Sequence, residues 1–326
     1  MAGITMVDAI NQALAWELEH DPDVVVLGED VGLNGGVFRV TAGLQQRFGE
    51  KRVFDTPLAE VMIAGLCVGM STQGMKPVAE AQFMGFIYPM LDQLICHASR
   101  MRHRTRGRLH CPMVVRAPFG GGIHAPEHHS ESTEALFAHI PGLRVVIPSS
   151  PGRAYGLLLA AMRDPDPVVF LEPKRIYRYQ KEEVEDNGEE LPLDVCYVLR
   201  DGSDVTLVTW GAMIKESMEA ADKLEQQGIS AEVIDVATVK PMDTDTIVES
   251  VQKTGRCVIV HEAARTGGMG AEVAARLADA GLWHLHAPVK RVTGYDSIMP
   301  LYRLEMKYLP SVDRILNAVD EVMEVS

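Results

Sequence analysis

Apolar positions recur at helical spacing as soon as the chain begins. Met6, Ala9, Ile10, Ala13 and Leu14 follow a Thr5-Met6-Val7-Asp8 cap, and Asp21-Pro22 closes the helix they predict. The period then changes. Val24 to Leu27 is a continuous aliphatic run, the pattern of a strand buried on both faces. From there the two patterns alternate: a strand at 53–54, a helix over about 60–73, a strand at 77–83, a helix at about 89–104 and a strand at 113–116. A strand at 144–148, a helix at about 151–162 and a strand at 168–171 follow. Such alternation predicts a parallel sheet covered by helices on both faces. Between Tyr177 and Asp204 the chain becomes charged and poor in strand signals, which reads as a linker over 181–203. Beyond it strands are expected near 205–209, 231–236, 257–261 and 290–293, with helices near 212–227, 244–253 and 270–279. The expected fold class is α/β, with an N-terminal parallel-sheet domain over 1–180 and a smaller C-terminal α/β domain over 204–326.

Composition narrows the function classes. The 326 residues are 47% apolar, and no aliphatic run approaches the roughly 18 to 20 residues of a membrane span, so a folded globular chain is expected and a membrane partner is not. Lys and Arg total 31 against 45 Asp and Glu, a formal charge of −14 that argues against nucleic acid and favours basic partners. Cys67, Cys96, Cys111, Cys196 and Cys257 form no CxxC pair, so neither a zinc site nor a disulfide framework is indicated. The start of the chain carries no apolar signal core and no Arg/Ser-rich transit stretch, which points to the cytoplasm.

In parallel sheets ligands bind at the carboxyl ends of the strands. The segments to inspect are therefore Gly28-Glu29-Asp30, then Asp55 to Glu60, then Gln82 to Phe86, and finally the loop from Gly120 through His124, His128 and His129 to Ser130. Neither a GxxxxGK[ST] loop nor a strand-to-helix GxGxxG is present, and Gly35-Gly36 and Gly267-Gly268 read as turns. The three histidines lack HExxH spacing, which suits a catalytic loop better than a metal site. Glu60 by itself reads equally as an acid placed to meet a helix dipole.

Those segments, together with VVVLGEDVG at 24–32, RVFDTPLAE at 52–60, PVAEAQFMGF at 77–86, VVRAPFGGG at 114–122, HHSES at 128–132 and FAHIPGLRVVIPSSP at 137–151, resemble the β subunit of the thiamine-diphosphate-dependent 2-oxo acid dehydrogenases. LEPKRIYR at 171–178 and EVIDVATVKPMD at 232–243 extend the resemblance over essentially the whole chain. It implies a transketolase-like pyrimidine-binding domain followed by a transketolase C-terminal-like domain. Glu60 would hydrogen-bond N1′ of the aminopyrimidine, whose own 4′-imino group removes the C2 proton once N1′ is protonated. Phe86 would stack on the pyrimidine, with Leu58 and Gln82 beside it, although the Leu58 side chain reads more simply as core. His129 would assist proton transfer to lipoamide, with an ordinary pKa of about 6.5 suited to that role. Glu29 would be an acid of the polar channel joining paired sites, or a solvated strand-end carboxylate. A monovalent cation such as K+ would be held mostly by backbone oxygens near Ala161, Asp164 and Asp166.

The absence of a GDG sequence is as informative, because thiamine diphosphate enzymes ordinarily hold Mg2+ and the diphosphate there. The chain thus resembles half a site. An α subunit completing an α2β2 heterotetramer would hold the Mg2+ side, and a dihydrolipoyl acyltransferase core with its lipoyl domain would receive the acyl group. Pyruvate is the expected substrate, from the His124-Ala125-Pro126-Glu127 loop; branched-chain 2-oxo acid or acetoin dehydrogenases, or a transketolase-like half, are the alternatives. Asp296 is the expected contact for a basic binding domain of the acyltransferase, or else a turn-forming aspartate.

Overall fold

The computed structural model describes residues 3–325. The first helix, Met6–His20, starts on a reciprocal cap: Asp8 N–H donates to Thr5 Oγ1 (3.3 Å) and Thr5 N–H donates to Asp8 Oδ2 (3.0 Å). Its other end is held by Arg52, whose guanidinium donates to the Leu18 and Asp21 carbonyls at 3.1 and 2.7 Å, satisfying acceptors the last turn leaves open. The buried face of Met6, Ile10 and Leu14 packs on a second helix, Pro151–Arg163, which begins with Ser150 as N-cap and proline at its first position.

The chain divides into two units by packing. The first comprises residues up to Phe119 together with Leu136–Leu193; the second comprises Gly120–Ala135 and the chain from Asp194 onward. Six strands form the sheet of the first unit: β1 (Val24–Gly28), β2 (Val53–Asp55), β3 (Lys76–Glu80), β4 (Val114–Phe119), β5 (Arg144–Val146) and β6 (Val168–Pro173). They lie in the order β5-β6-β4-β3-β1-β2, every neighbouring pair parallel. The aliphatic runs are buried on both faces, as a helix-covered parallel sheet requires. From β1 the chain steps outward to β2, then returns to β3 on the other side of β1 and continues away from it. That reversal opens a crevice at the carboxyl ends of β1 and β3.

Buried beneath those strand ends is an ionic network. Arg116, 1% exposed, donates from Nε and NH2 to the two oxygens of Glu172 (2.6 and 3.0 Å) and from NH1 to Glu80 Oε2 (3.0 Å). The Tyr177 hydroxyl donates to Glu172 Oε2 at 2.5 Å. Burial pushes the Glu80 carboxyl above its ordinary value and Tyr177 well above its own, while the two carboxylates push the Arg116 guanidinium higher still.

One expectation changes in this unit. The helix expected over 89–104 is broken at His97, leaving Leu91–Cys96 followed by short turns at Ala98–Arg100 and Met101–Arg104. Backbone from another part of the unit crowds the break: a Cβ on Gly142 would lie 2.2 Å from the Ser99 carbonyl oxygen. The carbonyls released there are taken by side chains, Ile95 by Ser99 Oγ (3.0 Å) and Arg100 Nε (2.8 Å), and Cys96 by Arg104. The charged stretch after Tyr177 is also well pinned. Glu182 bridges to Ile4 and accepts from Gly152 N–H (2.9 Å), and Tyr155 donates to Asp186 (2.9 Å) while accepting from Gly188 N–H (2.8 Å).

The second unit has a five-stranded sheet built from β7 (Tyr197–Arg200), β8 (Val205–Thr209), β9 (Ala231–Asp235), β11 (Cys257–Ala264) and β12 (Lys290–Gly294); the short β10 (Thr238–Lys240) lies outside it. The order is β12-β11-β8-β9-β7, parallel except for the antiparallel edge strand β7. The last helix, Val312–Met323, is capped by Ser311 and buries Ile315, Val319 and Val322.

Two ionisable groups in this unit are buried without hydrogen bonds of ordinary geometry: both ring nitrogens of His261, which stacks on Trp210 at 5.1 Å, and both carboxyl oxygens of Glu134. Burial drives His261 down to about 3, aided by the charge of Arg291, and drives Glu134 up to about 8, aided by Glu262. The signs oppose. His261 contributes stability that is complete above its ordinary 6.5 and lost as pH falls towards 3, whereas the Glu134 contribution is complete below 4.5 and lost as pH rises towards 8. For these two groups the slopes cancel between 4.5 and 6.5, and about 2 kcal/mol is lost between pH 6.5 and 8. Thermal melts of the wild type and Glu134→Gln across this range should show the alkaline loss only in the wild type. A melting temperature equally pH-dependent in both would assign the loss to other groups.

Candidate active site

The crevice between β1 and β3 is narrow because the strand ends approach closely: a Cβ on Gly28 would lie 2.7 Å from the Glu80 carbonyl oxygen. Glycine is required there. The chain then turns at Asp30, a non-glycine residue in the left-handed region (φ 59°), and Gly32 N–H donates to Asp55 Oδ1 at 2.7 Å, tying the loop after β1 to the end of β2. Gln82 spans the crevice from the β3 side, its Nε2 donating to Asp30 Oδ2 (3.0 Å) and reaching the Glu29 carbonyl (3.4 Å).

The Glu29 carboxyl lies within range of the Glu60 charge. The Glu29 carboxyl is buried, its Oε1 has no hydrogen-bond partner, and burial raises its pKa, with the charges of Glu60 and Asp30 adding to the shift. Glu60 opens the helix Glu60–Thr72, whose N-cap residue Ala59 provides no side-chain cap. An acid in that first turn is favoured by the helix dipole, so the local fold and a chemical role want the same residue. Phe86 ends a 3-10 turn, Met84–Phe86, and stands edge-on to Phe83 at 6.0 Å; Phe83 in turn meets Phe38 at 5.5 Å. In the first unit Gln82 thus reaches the loop that carries Glu29 and Asp30, while Phe86 packs on the Phe83 and Phe38 rings.

Leu58 is not a core side chain. It is 81% exposed, and Val61, Met62 and Leu66 on the following helix are exposed as well. The apolar character that suggested burial marks surface this chain leaves open.

The histidines belong to the second unit. Residues 120–135 leave β4 and pack with the C-terminal unit, with His129 closing the 3-10 turn Glu127–His129 and His124 exposed at φ 61°. The loop is closed at its base by Gly120 N–H donating to the Glu131 carbonyl (2.9 Å). Three of its amides go to buried acids that sequence reasoning missed: Gly121 to Glu262 (3.2 Å), Gly122 to Glu305 Oε1 (2.7 Å) and His124 to Glu305 Oε2 (3.0 Å). A cavity of about 410 Å3 beside the loop is lined by Ser130, Ser132, Thr133, Met299 and Tyr308, among others.

The cation residues are committed elsewhere. Ala161 is buried in Pro151–Arg163. Asp164 Oδ2 pairs with Arg144 Nε (2.8 Å) and its Oδ1 accepts from Asp166 N–H (2.7 Å), while both Asp166 oxygens face Arg102 Nε at 2.8 and 3.0 Å. Among the described residues no group of three or more His, Cys, Asp or Glu is arranged to hold a metal. A cation at this corner would rest on backbone oxygens. Asp296 accepts from Thr266 N–H (2.8 Å) and Thr266 Oγ1 (2.7 Å), bonds that hold its carboxyl below the usual range and tie two loops of the second unit together.

Residues 2–180 match the transketolase pyrimidine-binding domain family, and residues 195–315 match the transketolase C-terminal domain family. The chain is 51% identical over 315 residues to the pyruvate dehydrogenase E1 component subunit beta of Acholeplasma laidlawii, covering 97% of this chain and 96% of that one. It is 49% identical over 324 residues to the protein of the same name from Bacillus subtilis strain 168, covering 99% and 100%. A solved split-gene transketolase, described as an inactive β4 tetramer, aligns over 99% of both chains with a TM-score of 0.81 and 25% identity. The chain belongs to the β-subunit family of the thiamine-diphosphate-dependent 2-oxo acid dehydrogenases, built from two transketolase-like domains.

Proposed function

We propose that this chain is the β half of a cytoplasmic pyruvate dehydrogenase component that, in an α2β2 heterotetramer, decarboxylates pyruvate on thiamine diphosphate and reductively acylates the lipoyl group of a dihydrolipoyl acyltransferase. The observation that carries the reading is the Glu29 carboxyl at the end of β1, buried with one oxygen unpartnered and within range of the Glu60 charge. A half-buried carboxyl on a helix's first turn fits an aminopyrimidine by offering an acid to a basic ring nitrogen. When bound, thiamine diphosphate supplies the electron sink on which a 2-oxo acid loses carbon dioxide. Glu60 would hold and share a proton at N1′. Glu29, whose carboxyl burial raises above its ordinary value, would border the same ring. Phe86 and Gln82 would border the ring, and His129 would give or take a proton at the acyl-transfer step.

Mg2+ and the diphosphate are assigned to the α subunit, because the chain has no GDG sequence. A K+ near Ala161, Asp164 and Asp166 would be bound by main-chain oxygens. The exposed Leu58, Val61, Met62 and Leu66 support a partner surface next to the cofactor residues. The identity of about half the residues to chains named for pyruvate supports that substrate over branched-chain 2-oxo acids or acetoin.

The test is calorimetric titration with thiamine diphosphate and Mg2+, with this chain alone and with it coassembled with its α subunit. Saturable binding is expected only in the assembly, followed by turnover of pyruvate in preference to acetoin and 3-methyl-2-oxobutanoate. Tight stoichiometric binding by this chain alone would end the split-site reading.

A further inference from the structure

The loop that carries His129 contains little regular structure of its own. Apart from the turn Glu127–His129, its internal backbone bonds are the closure at Gly120 and those around Pro126 to Ser130. Between them the backbone passes through left-handed conformations at Gly120, Gly122 and His124 (φ 82°, 89° and 61°), the last costly for a residue with a Cβ. A segment so shaped stays in one conformation only if something outside it holds it.

Glu305 does so from the middle of the helix Tyr302–Tyr308. Its side chain is 1% exposed, and its two oxygens take two different amides, Gly122 N–H at 2.7 Å and His124 N–H at 3.0 Å, with the His124 imidazole 3.8 Å from Oε2. Glu262 takes the intervening Gly121 N–H. Two buried carboxylates thus sit in a nest of three amides, an arrangement that backbone dipoles favour for an anion. The approach at Gly120 is equally tight, since a Cβ there would lie 2.2 Å from Glu262 Oε1.

We propose that Glu305 is a positioning residue for the reaction: by holding Gly122 and His124 it sets the loop conformation that presents His129 for proton transfer. The proposal rests on the reading of His129 given above. Glu305 touches neither substrate nor cofactor in this account and acts through the loop. The neutral amide of Glu305→Gln keeps the volume but replaces one of the two acceptor oxygens with a donor. That N–H faces an N–H. Glu305→Ala removes both acceptors and leaves the loop free to leave its left-handed conformation.

The experiment uses the assembled enzyme with wild-type chain, Glu305→Gln, Glu305→Ala and His129→Ala. Hydrogen exchange of the 120–131 segment is followed alongside lipoyl-dependent turnover and turnover with an artificial electron acceptor. Exchange at Gly122 and His124 should rise at least tenfold in Glu305→Gln. Lipoyl-dependent kcat should fall about tenfold there and about a hundredfold in Glu305→Ala, a loss typical of misplaced catalytic groups, with KM for pyruvate little changed. Unchanged exchange in both Glu305 variants overturns the proposal, as does faster exchange with lipoyl-dependent kcat intact while His129→Ala loses it. Should His129→Ala retain lipoyl-dependent turnover, the reading of His129 fails, and with it the catalytic meaning of the proposal; the exchange data then still decide whether Glu305 holds the loop.

Discussion

Glu60→Gln will abolish cofactor activation in the assembled enzyme while leaving the fold in place. An amide has the shape of the carboxyl but cannot share its proton with a ring nitrogen, so C2-proton exchange of the bound cofactor should slow by about 10^2 to 10^4, the range general acid–base catalysis supplies. The fold should tolerate the change: Glu60 is half-buried, and its favourable interaction with the helix dipole is worth roughly 0.3 to 1 kcal/mol. A second readout follows from the carboxyl pair. Glu60 contributes to the raised pKa of Glu29, so in the variant the Glu29 carboxyl should titrate at lower pH, observable by NMR of labelled glutamate. Near wild-type C2 exchange would return Glu60 to a helix-terminal acid with no part in the chemistry.

The largest effect on stability is expected at Arg116. Arg116→Met should cost about 3 to 5 kcal/mol in chemical unfolding of the chain, because it removes the guanidinium that faces two carboxylates that stay buried, Glu80 and Glu172. The loss should be larger at pH 8 than at pH 5. Without the guanidinium the pair must take up protons to remain buried, and a carboxyl whose folded pKa lies above its unfolded value loses stability as pH rises. Arg116→Met combined with Glu80→Gln and Glu172→Gln should recover much of the loss, since no uncompensated charge is then left inside. A single-variant loss below about 1 kcal/mol, or one independent of pH, would show that water reaches the network.

The strands were legible because a strand buried on both faces needs no polar alternation: Val24 to Leu27 and Val168 to Leu171 announce themselves as aliphatic runs. The break at His97 was not, because the apolar periodicity continues through it and the cause, backbone crowding at Gly142, lies more than 40 residues away. The edge strand β7 hid in a charged stretch, since half of its surroundings are solvent. The final helix spaces Ile315, Ala318, Val319 and Val322 helically but was not among the elements expected from the sequence. Glu29, Glu60, Gln82 and Phe86 were singled out because strand ends are where parallel sheets bind ligands, and the structure places Glu29 directly after β1 and Gln82 shortly after β3. Leu58 misled, because an apolar side chain looks the same in sequence whether its neighbours come from its own chain or another. Glu305 carried no signal, as an acid on a short amphipathic helix resembles any solvated one until the fold brings it to residues 183 positions earlier.

That separation also sets an order of events during synthesis. All six strands of the first unit lie before Leu193, so they can begin to assemble while the second unit is still being made. The histidine loop leaves the ribosome early, yet its anchors at Glu262 and Glu305 follow 141 and 183 residues after the amides they hold. At a synthesis rate of about 5 to 20 residues per second, the loop waits on the order of ten seconds or more without its hydrogen-bond partners. Until residue 305 is made, the first unit can hold Glu29, Glu60, Gln82 and Phe86 in folded structure while the Gly122 and His124 amides still lack the carboxylate that takes them.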